Sequence, residues 1–216
     1  MAQRGRPRRF DRDAALEQAM HLFWEHGYES TSLALLKANL GGGITAPSFY
    51  AAFGSKEALF REVVEHYLAT HGQVNAALWD DSLPPRQAIE QSLRRSARMQ
   101  TGRGHPKGCL LVLSASTCSP ENEHLQQLLA RQRARTHDGL RRCVQRAVDA
   151  GELPADTDVR ALTAVFQTFL NGLSLQARDG VPGTVLDAAI TQLFQGCWPA
   201  QACPPPAQGL APQGGP

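Results

Sequence analysis

Residues 31–60 read TSLALLKANLGGGITAPSFYAAFGSKEALF, two short helical patterns separated by a run of glycines. Thr31 or Ser32 can cap the first, whose Leu33, Leu36 and Leu40 fall at three-and-four spacing and turn one apolar stripe inward. Gly41, Gly42 and Gly43 then stop it, because glycine takes the positive φ of a tight reversal without steric penalty. The second helix is expected to begin near Thr45, with Pro47 in a first turn that needs no N–H, and with Ile44, Phe49 and Phe53 anchoring it to a core. Thr45, Ala46, Ser48 and Tyr50 are left facing outward. Short hydroxyl and methyl groups at a helix N-terminus suit base edges in a major groove, and a tyrosine hydroxyl one turn later can reach a phosphate.

Upstream, Leu16, Ala19, Met20 and Phe23 form one stripe of a helix expected from Asp11, its N-cap, to His26, with Gly27 as the stop. Downstream, Ser55 caps a further helix whose first turn holds Lys56. The helix dipole alone disfavours a cation there, so a docking phosphate explains it economically.

The order Gly27-Tyr28, Thr31-Ser32-Leu33, glycine turn, Ser48-Phe49-Tyr50, Phe53 and Ser55-Lys56-Glu57-Ala58-Leu59 resembles the N-terminal domain of TetR-family transcriptional repressors. The resemblance covers about Phe10 to Tyr67. It implies that Thr45, Ser48, Tyr50 and Lys56 lie on the DNA side, the tyrosine and lysine on phosphates. Thr31, Ser32, Ala46 and Pro47 complete the candidate contacts of the module. The family's turn usually carries one glycine; here Gly41-Gly42-Gly43 make it two residues longer. Either the helix before it ends early and the loop bulges, or the recognition helix is tilted.

Charge supports this only locally. Residues 1–80 carry eight Lys or Arg against nine Asp or Glu, and half of those cations are Arg4, Arg6, Arg8 and Arg9. Such an arm can lie along phosphates or enter a narrow minor groove.

The whole chain has 216 residues, 42% of them hydrophobic, and a formal net charge of +2. That is enough for one or two buried cores, and beyond residue 80 helical patterns continue with few strand signals. An all-α protein follows, divided into a basic arm (1–9), a helix-turn-helix domain (10–54), a connecting helix (55–80), a larger helical domain (81–198) and an uncharged Pro/Gly/Ala/Gln tail (199–216) read as disordered. In the larger domain helices are expected over 85–101 and from Glu121 to about Ala150, the latter stopped by Gly151, with a short apolar segment, Cys109 to Ser116, between them. Leu162, Val165, Phe166, Phe169 and Leu173 stripe one C-terminal helix, and Leu186, Ile190, Leu193, Phe194 and Trp198 stripe the next. Both stripes read as core. The resemblance implies instead that these helices pair with a symmetry mate, so Leu162, Val165, Phe169, Leu173, Leu186, Ile190, Leu193 and Phe194 are assigned to a homodimer interface. Two recognition helices on a two-fold axis would meet half-sites about 34–36 Å apart in a near-palindromic, double-stranded operator.

The resemblance further implies a small-molecule pocket in the larger domain whose occupation opposes operator binding. Trp79, Met99, Cys109, Leu113, Phe166, Phe169 and Asn171 are candidate liners, and each reads equally as core. Their apolar bias favours a hydrophobic or aromatic effector. Lys107-Gly108-Cys109-Leu110 resembles a Gly-Cys-Leu element of one branch of the family, some of whose members sense electrophiles through cysteine. Lys107 beside the thiol would depress its pKa; against this, Cys109 also reads as a small buried hydrophobe.

Five cysteines without CxxC spacing argue against a disulfide framework, and seven histidines without HExxH or paired Cys/His spacing argue against a metal site. No GxSxG, P-loop or GxGxxG is present, which argues against an enzyme and against a bound cofactor. Asp11, Arg12, Asp13 and Glu17 interrupt any signal-like apolar run, and no segment approaches membrane length. The expectation is a cytoplasmic bacterial repressor that leaves its operator when a hydrophobic or electrophilic effector binds. The alternatives are a DNA-binding activator, an effector-independent regulator, or an enzyme with an accessory DNA-binding head.

Overall fold

The computed structural model describes residues 10–116 and 118–198, and among them there are helices and turns but no strands. The basic arm, with Arg4, Arg6, Arg8 and Arg9, and the 199–216 tail lie outside the described residues.

Helix α1 (Arg12–Ser30) starts where Asp11 accepts a hydrogen bond from the Ala14 N–H at 3.0 Å. Its regular path ends at Gly27, as expected, where φ 76° and ψ 171° are non-helical, and one further short turn carries the span to Ser30. Helix α2 (Leu33–Asn39) is capped by the Ser32 hydroxyl, which accepts from the Leu35 N–H at 3.1 Å. The chain then leaves through a single tight turn over Leu40–Gly42, where Gly41, Gly42 and Gly43 take φ of 59°, 81° and 104°. Three consecutive left-handed residues are open only to glycine at low cost, so the long turn is a loop and not an extension of α2. Helix α3 (Ala46–Phe53) is capped by Thr45, and Phe49 and Phe53 are buried as expected. Helix α4 (Lys56–Ala69) is capped by Ser55, which accepts from Ala58 at 2.9 Å.

The expected connecting helix ends earlier than residue 80. At Thr70 the hydroxyl and N–H both turn back onto the His66 carbonyl, and residues His71–Trp79 wind as a tighter 3₁₀ run. Helices α5 (Pro85–Gln100), α6 (Leu110–Leu113), α7 (Glu123–Asp149), α8 (Val159–Arg178) and α9 (Gly183–Cys197) complete the order.

Two apolar cores result. The first joins α1 to α4 around Phe23, Trp24, Phe49, Phe60 and Tyr67; it also takes in Leu110, Leu111, Leu125 and Leu129 from α6 and α7. The second packs α5, α7, α8 and α9 around Ile89, Leu140, Phe166, Ile190 and Phe194, and takes Leu78 from the connecting run. The expected boundary at residue 80 is therefore crossed in both directions. An apolar α1–α4 surface carrying Trp24 and Tyr67 has to be covered, and α6 with the start of α7 covers it.

Candidate nucleic-acid interface and effector cavity

One face of α3 is open to solvent. Thr45, Pro47, Ser48 and Tyr50 are exposed, Tyr50 by 50%, while Ala46 is half-buried. Thr45 organises the entrance: its hydroxyl lies 2.9 Å from that of Ser48 and accepts the Ser48 N–H. The start of α3 thus sets a patch of exposed hydroxyls on one surface, an arrangement suited to acceptors on bases and phosphates. Ser32 is exposed, with its oxygen engaged as the α2 cap.

Thr31 is a correction. It is fully buried, and its hydroxyl donates to the Gly27 carbonyl at 2.7 Å, closing the turn that Gly27 opens. It holds α1 to α2 and does not face outward. Thr31→Val should lower stability by about 1–2 kcal/mol in denaturant titration, because the Gly27 carbonyl is left without its partner. DNA affinity per folded molecule should not change; a selective loss would return Thr31 to the interface.

Lys56 opens α4, half-buried, with its ammonium 4.2 Å above the Tyr28 ring. Burial lowers its pKa, partly offset by Glu29. Tyr28 thereby fixes where this cation sits. Three supports of the interface were missed in the sequence. Gln18 accepts the Gly41 N–H at 2.8 Å and ties the glycine turn to α1. The Phe10 ring packs edge-on against Phe53, and a Cβ on Gly41 would come within 3.0 Å of it. Arg12 joins Glu62 at 2.6 Å and donates to the Ala52 carbonyl at the end of α3. Only Phe10 left a signal, as the apolar residue directly before an N-cap.

A cavity of about 280 Å³ opens among α4, the 71–79 run, α5, α6, α7 and α8. Trp79, Met99, Cys109 and Asn171 line it as expected. Leu113, Phe166 and Phe169 do not. Phe166 is fully buried against the Phe194 and Trp198 rings, at 5.4 and 6.3 Å, because its helical phase turns it into the second core. Phe169 packs on the outside of that core, and Leu113 fills the space left by the missing side chain of Gly108. Tyr67, Gln100, Gln167 and Ser174 also line the cavity. Polar residues within otherwise core-facing turns were the available signal.

Cys109 accepts the Tyr67 hydroxyl at 3.3 Å. Burial pushes its thiol pKa up, more than that bond and the Arg133 charge bring it down. Lys107 does not activate it. Its ammonium donates instead to the carbonyls of Thr101, at 2.5 Å, and Gly102. Alkylation by iodoacetamide near neutral pH should therefore be slower at Cys109 than at an unstructured thiol, measured by peptide mass spectrometry; preferential labelling there would contradict this environment.

Several contacts join the cavity to the head. Tyr67 meets Trp24 of α1 edge-on at 4.9 Å, and Trp24 stacks on His105 at 4.8 Å. Arg178 of α8 donates to the Glu25 carbonyl at 2.5 Å and pairs with its carboxylate at 3.3 Å. Glu29 accepts from the Ser119 N–H and Asn122, which hold its carboxyl below the usual range.

The stripes on α8 and α9 divide differently from expectation. Leu173, Leu186, Ile190 and Phe194 are buried within one chain, so they are not interface residues in this arrangement. Leu162, Phe169 and Leu193 are half-buried, and Val165 is exposed. The outer surface is completed by Ala161, Ala164, Thr168 and Leu175 on α8 and by Val185 and Ala188 on α9, all exposed. Among the described residues no group of three His, Cys, Asp or Glu side chains is placed to hold a metal, and no helix is long and apolar enough to cross a membrane.

A three-helix head with an exposed, hydroxyl-bearing second helix, set on a helical domain with a cavity, defines the helix-turn-helix class of DNA-binding regulators. Residues 15–63 match the family described as bacterial regulatory proteins, tetR family, and residues 85–193 match the tetracyclin repressor-like C-terminal domain. The HTH-type transcriptional repressor ComR of Escherichia coli (strain K12) is 36% identical over 179 residues, 82% of this chain and 84% of ComR. The repressor BdcR of the same strain is 31% identical over 178 residues, covering 82% and 83%. Among solved structures, the TetR family transcriptional regulator CifR, a cysteine mutant complexed with 26bp double-strand operator DNA, superposes with a TM-score of 0.79 at 42% identity, over 90% of this chain and 100% of that one. The chain belongs to the TetR family of DNA-binding transcriptional repressors, and it is not an enzyme.

Proposed function

We propose that the protein is a dimeric, ligand-responsive repressor that binds a near-palindromic operator through α3 and leaves it when a small molecule fills the cavity. The observation that carries this reading is the exposed start of α3, where the side chains of Thr45, Pro47, Ser48 and Tyr50 face solvent. Ser48, the methyl-bearing Thr45 and Ala46, and the Pro47 ring meet base edges; Tyr50, Lys56 and Ser32 meet phosphates. Arg4, Arg6, Arg8 and Arg9 neutralise further phosphates, and replacing all four should flatten the salt slope by about 0.9 for each phosphate they would otherwise neutralise.

One recognition helix covers too few base pairs for useful specificity, so two copies are needed. They pair through the outer faces of α8 and α9, with Val165 and Leu175 flanked by small residues that let helices approach closely. Effector and operator oppose one another through a single coupling energy. Tyr67, which lines the cavity and packs on Trp24, joins cavity to head. The effector has an apolar body; the raised thiol pKa of Cys109 speaks against an electrophile acting there. Such a regulator works in the bacterial cytoplasm.

Selection of bound fragments from a bacterial genomic DNA library tests the reading. Recovery of one near-palindromic motif supports it, whereas uniform retention of all fragments would overturn it.

A further inference from the structure

Among the described residues, Arg133 of α7 is the half-buried arginine that meets no carboxylate, and it lines the cavity. The others of its kind are all paired. Arg61 meets Glu57 at 2.9 Å, Arg94 meets both Glu90 and Asp187 at 2.7 Å, and Arg178 meets Glu25 at 3.3 Å. Arg142 and Arg146 share Asp81, at 2.6 and 3.5 Å. No Asp or Glu lines the cavity, and burial holds the Arg133 pKa below the usual guanidinium range with no carboxylate to offset it. A charge drawn partly out of water is costly unless it is paired, so this wall carries one half of an ion pair.

The guanidinium itself, and not only its stem, stands at the wall. Its Nη1 donates to the Leu111 carbonyl at 2.8 Å. It also lies near the Cys109 thiol, whose pKa burial raises and the Arg133 charge lowers. Leu111 and Cys109 both line the cavity. The Nε and Nη2 groups have no partner among the described residues, and neither is sealed from solvent. Together they form the edge of the guanidinium that holds a carboxylate through two parallel N–H···O bonds. Arg135, exposed and without an ion pair among the described residues, adds a second positive charge to the lining.

Building on the effector-responsive reading above, we propose that the cavity takes a small organic acid, its carboxylate on the Nε–Nη2 edge of Arg133 and its apolar body against Trp79, Met99, Val112 and Leu170. At about 280 Å³ it exceeds the roughly 150 Å³ of a cavity that holds benzene, which leaves space for a ring and a short acidic arm.

Calorimetric titration of the full-length protein, without DNA, with phenylpropanoate, phenylpropanamide and phenylpropylamine tests the assignment. The amide keeps the shape of the acid and loses only its charge. The acid should bind about tenfold tighter than the amide, and the amine more weakly than either. Arg133→Gln should bring the acid-to-amide ratio towards one, and Arg133→Lys, which keeps the charge without the fork, should retain part of it. Arg131→Gln removes an exposed charge of the same helix that does not line the cavity, and should leave the ratio unchanged. The proposal is overturned if the acid binds no tighter than the amide, if the amine binds most tightly, or if none binds at millimolar concentration. An equal effect of Arg131→Gln and Arg133→Gln would overturn it as well. Operator release is read separately. Acid-selective binding without release would leave the cavity chemistry standing and remove the repressor-release reading; release by the amide as effectively as by the acid would do the opposite.

Discussion

Ser48→Glu is expected to weaken operator binding by about a hundredfold or more while leaving the fold intact. Ser48 is the third residue of α3, and Thr45 caps that helix. A glutamate at this position can reach back to the Thr45 N–H and complete a capping box, and its charge suits the positive end of the helix dipole. Local stability is therefore held or improved. The same carboxylate would stand where the exposed start of α3 meets the groove, against phosphates and acceptor-rich base edges. In a dimer the penalty is incurred at both half-sites. Fluorescence anisotropy with an operator fragment, paired with a melting curve, separates the effects. Unchanged affinity would take the first turn of α3 out of the interface.

Gly108→Ala should cost about 2–4 kcal/mol and lower the melting temperature by on the order of 10 °C. Gly108 takes φ 84°, and a Cβ there would lie 2.6 Å from a Leu113 methyl and 2.8 Å from the Ser174 carbonyl. Leu113 could rotate away; the Ser174 carbonyl belongs to the backbone of α8 and cannot. The N–H of Gly108 also donates to the Gln100 carbonyl at 3.0 Å, so this residue is a meeting point of α5, α6 and α8. The glycine of the Gly-Cys-Leu element thus has a packing role independent of its cysteine. A melting temperature within about a degree of the parent would contradict that role.

Residues that act on their own neighbours were legible in the sequence. Asp11, Ser32, Thr45 and Ser55 all cap the helices that follow them, and Pro47 sits in the first turn of α3, because capping and φ restriction are decided within four residues. The glycine turn was legible for the same reason. What failed depended on distant partners. Thr31 and Ser32 are adjacent hydroxyls, and only the bend at Gly27 decides that Thr31 turns inward. On α8 and α9 both faces are apolar, so periodicity found stripes without saying whether the same chain or a second copy covers them. Leu173, Leu186, Ile190 and Phe194 proved to be covered by the same chain. Lys107 neighbours Cys109 in sequence, but its ammonium turns to the carbonyls that close the 101–108 loop. Sequence adjacency carries no information on side-chain direction in a loop. The cavity is walled by residues of α4 to α8 and of the 71–79 run, a convergence that no local pattern encodes.

The central claim is that two copies of α3 read two half-sites on one operator. Its most direct test is anisotropy titration of the wild-type protein on the selected motif and on versions with either half-site scrambled, repeated over a salt series. Scrambling either half should reduce affinity by a similar factor of about a hundred or more, with a steep fall of the intact complex as salt rises. Equal affinity for intact and scrambled DNA at every salt concentration would contradict sequence-specific, two-fold recognition.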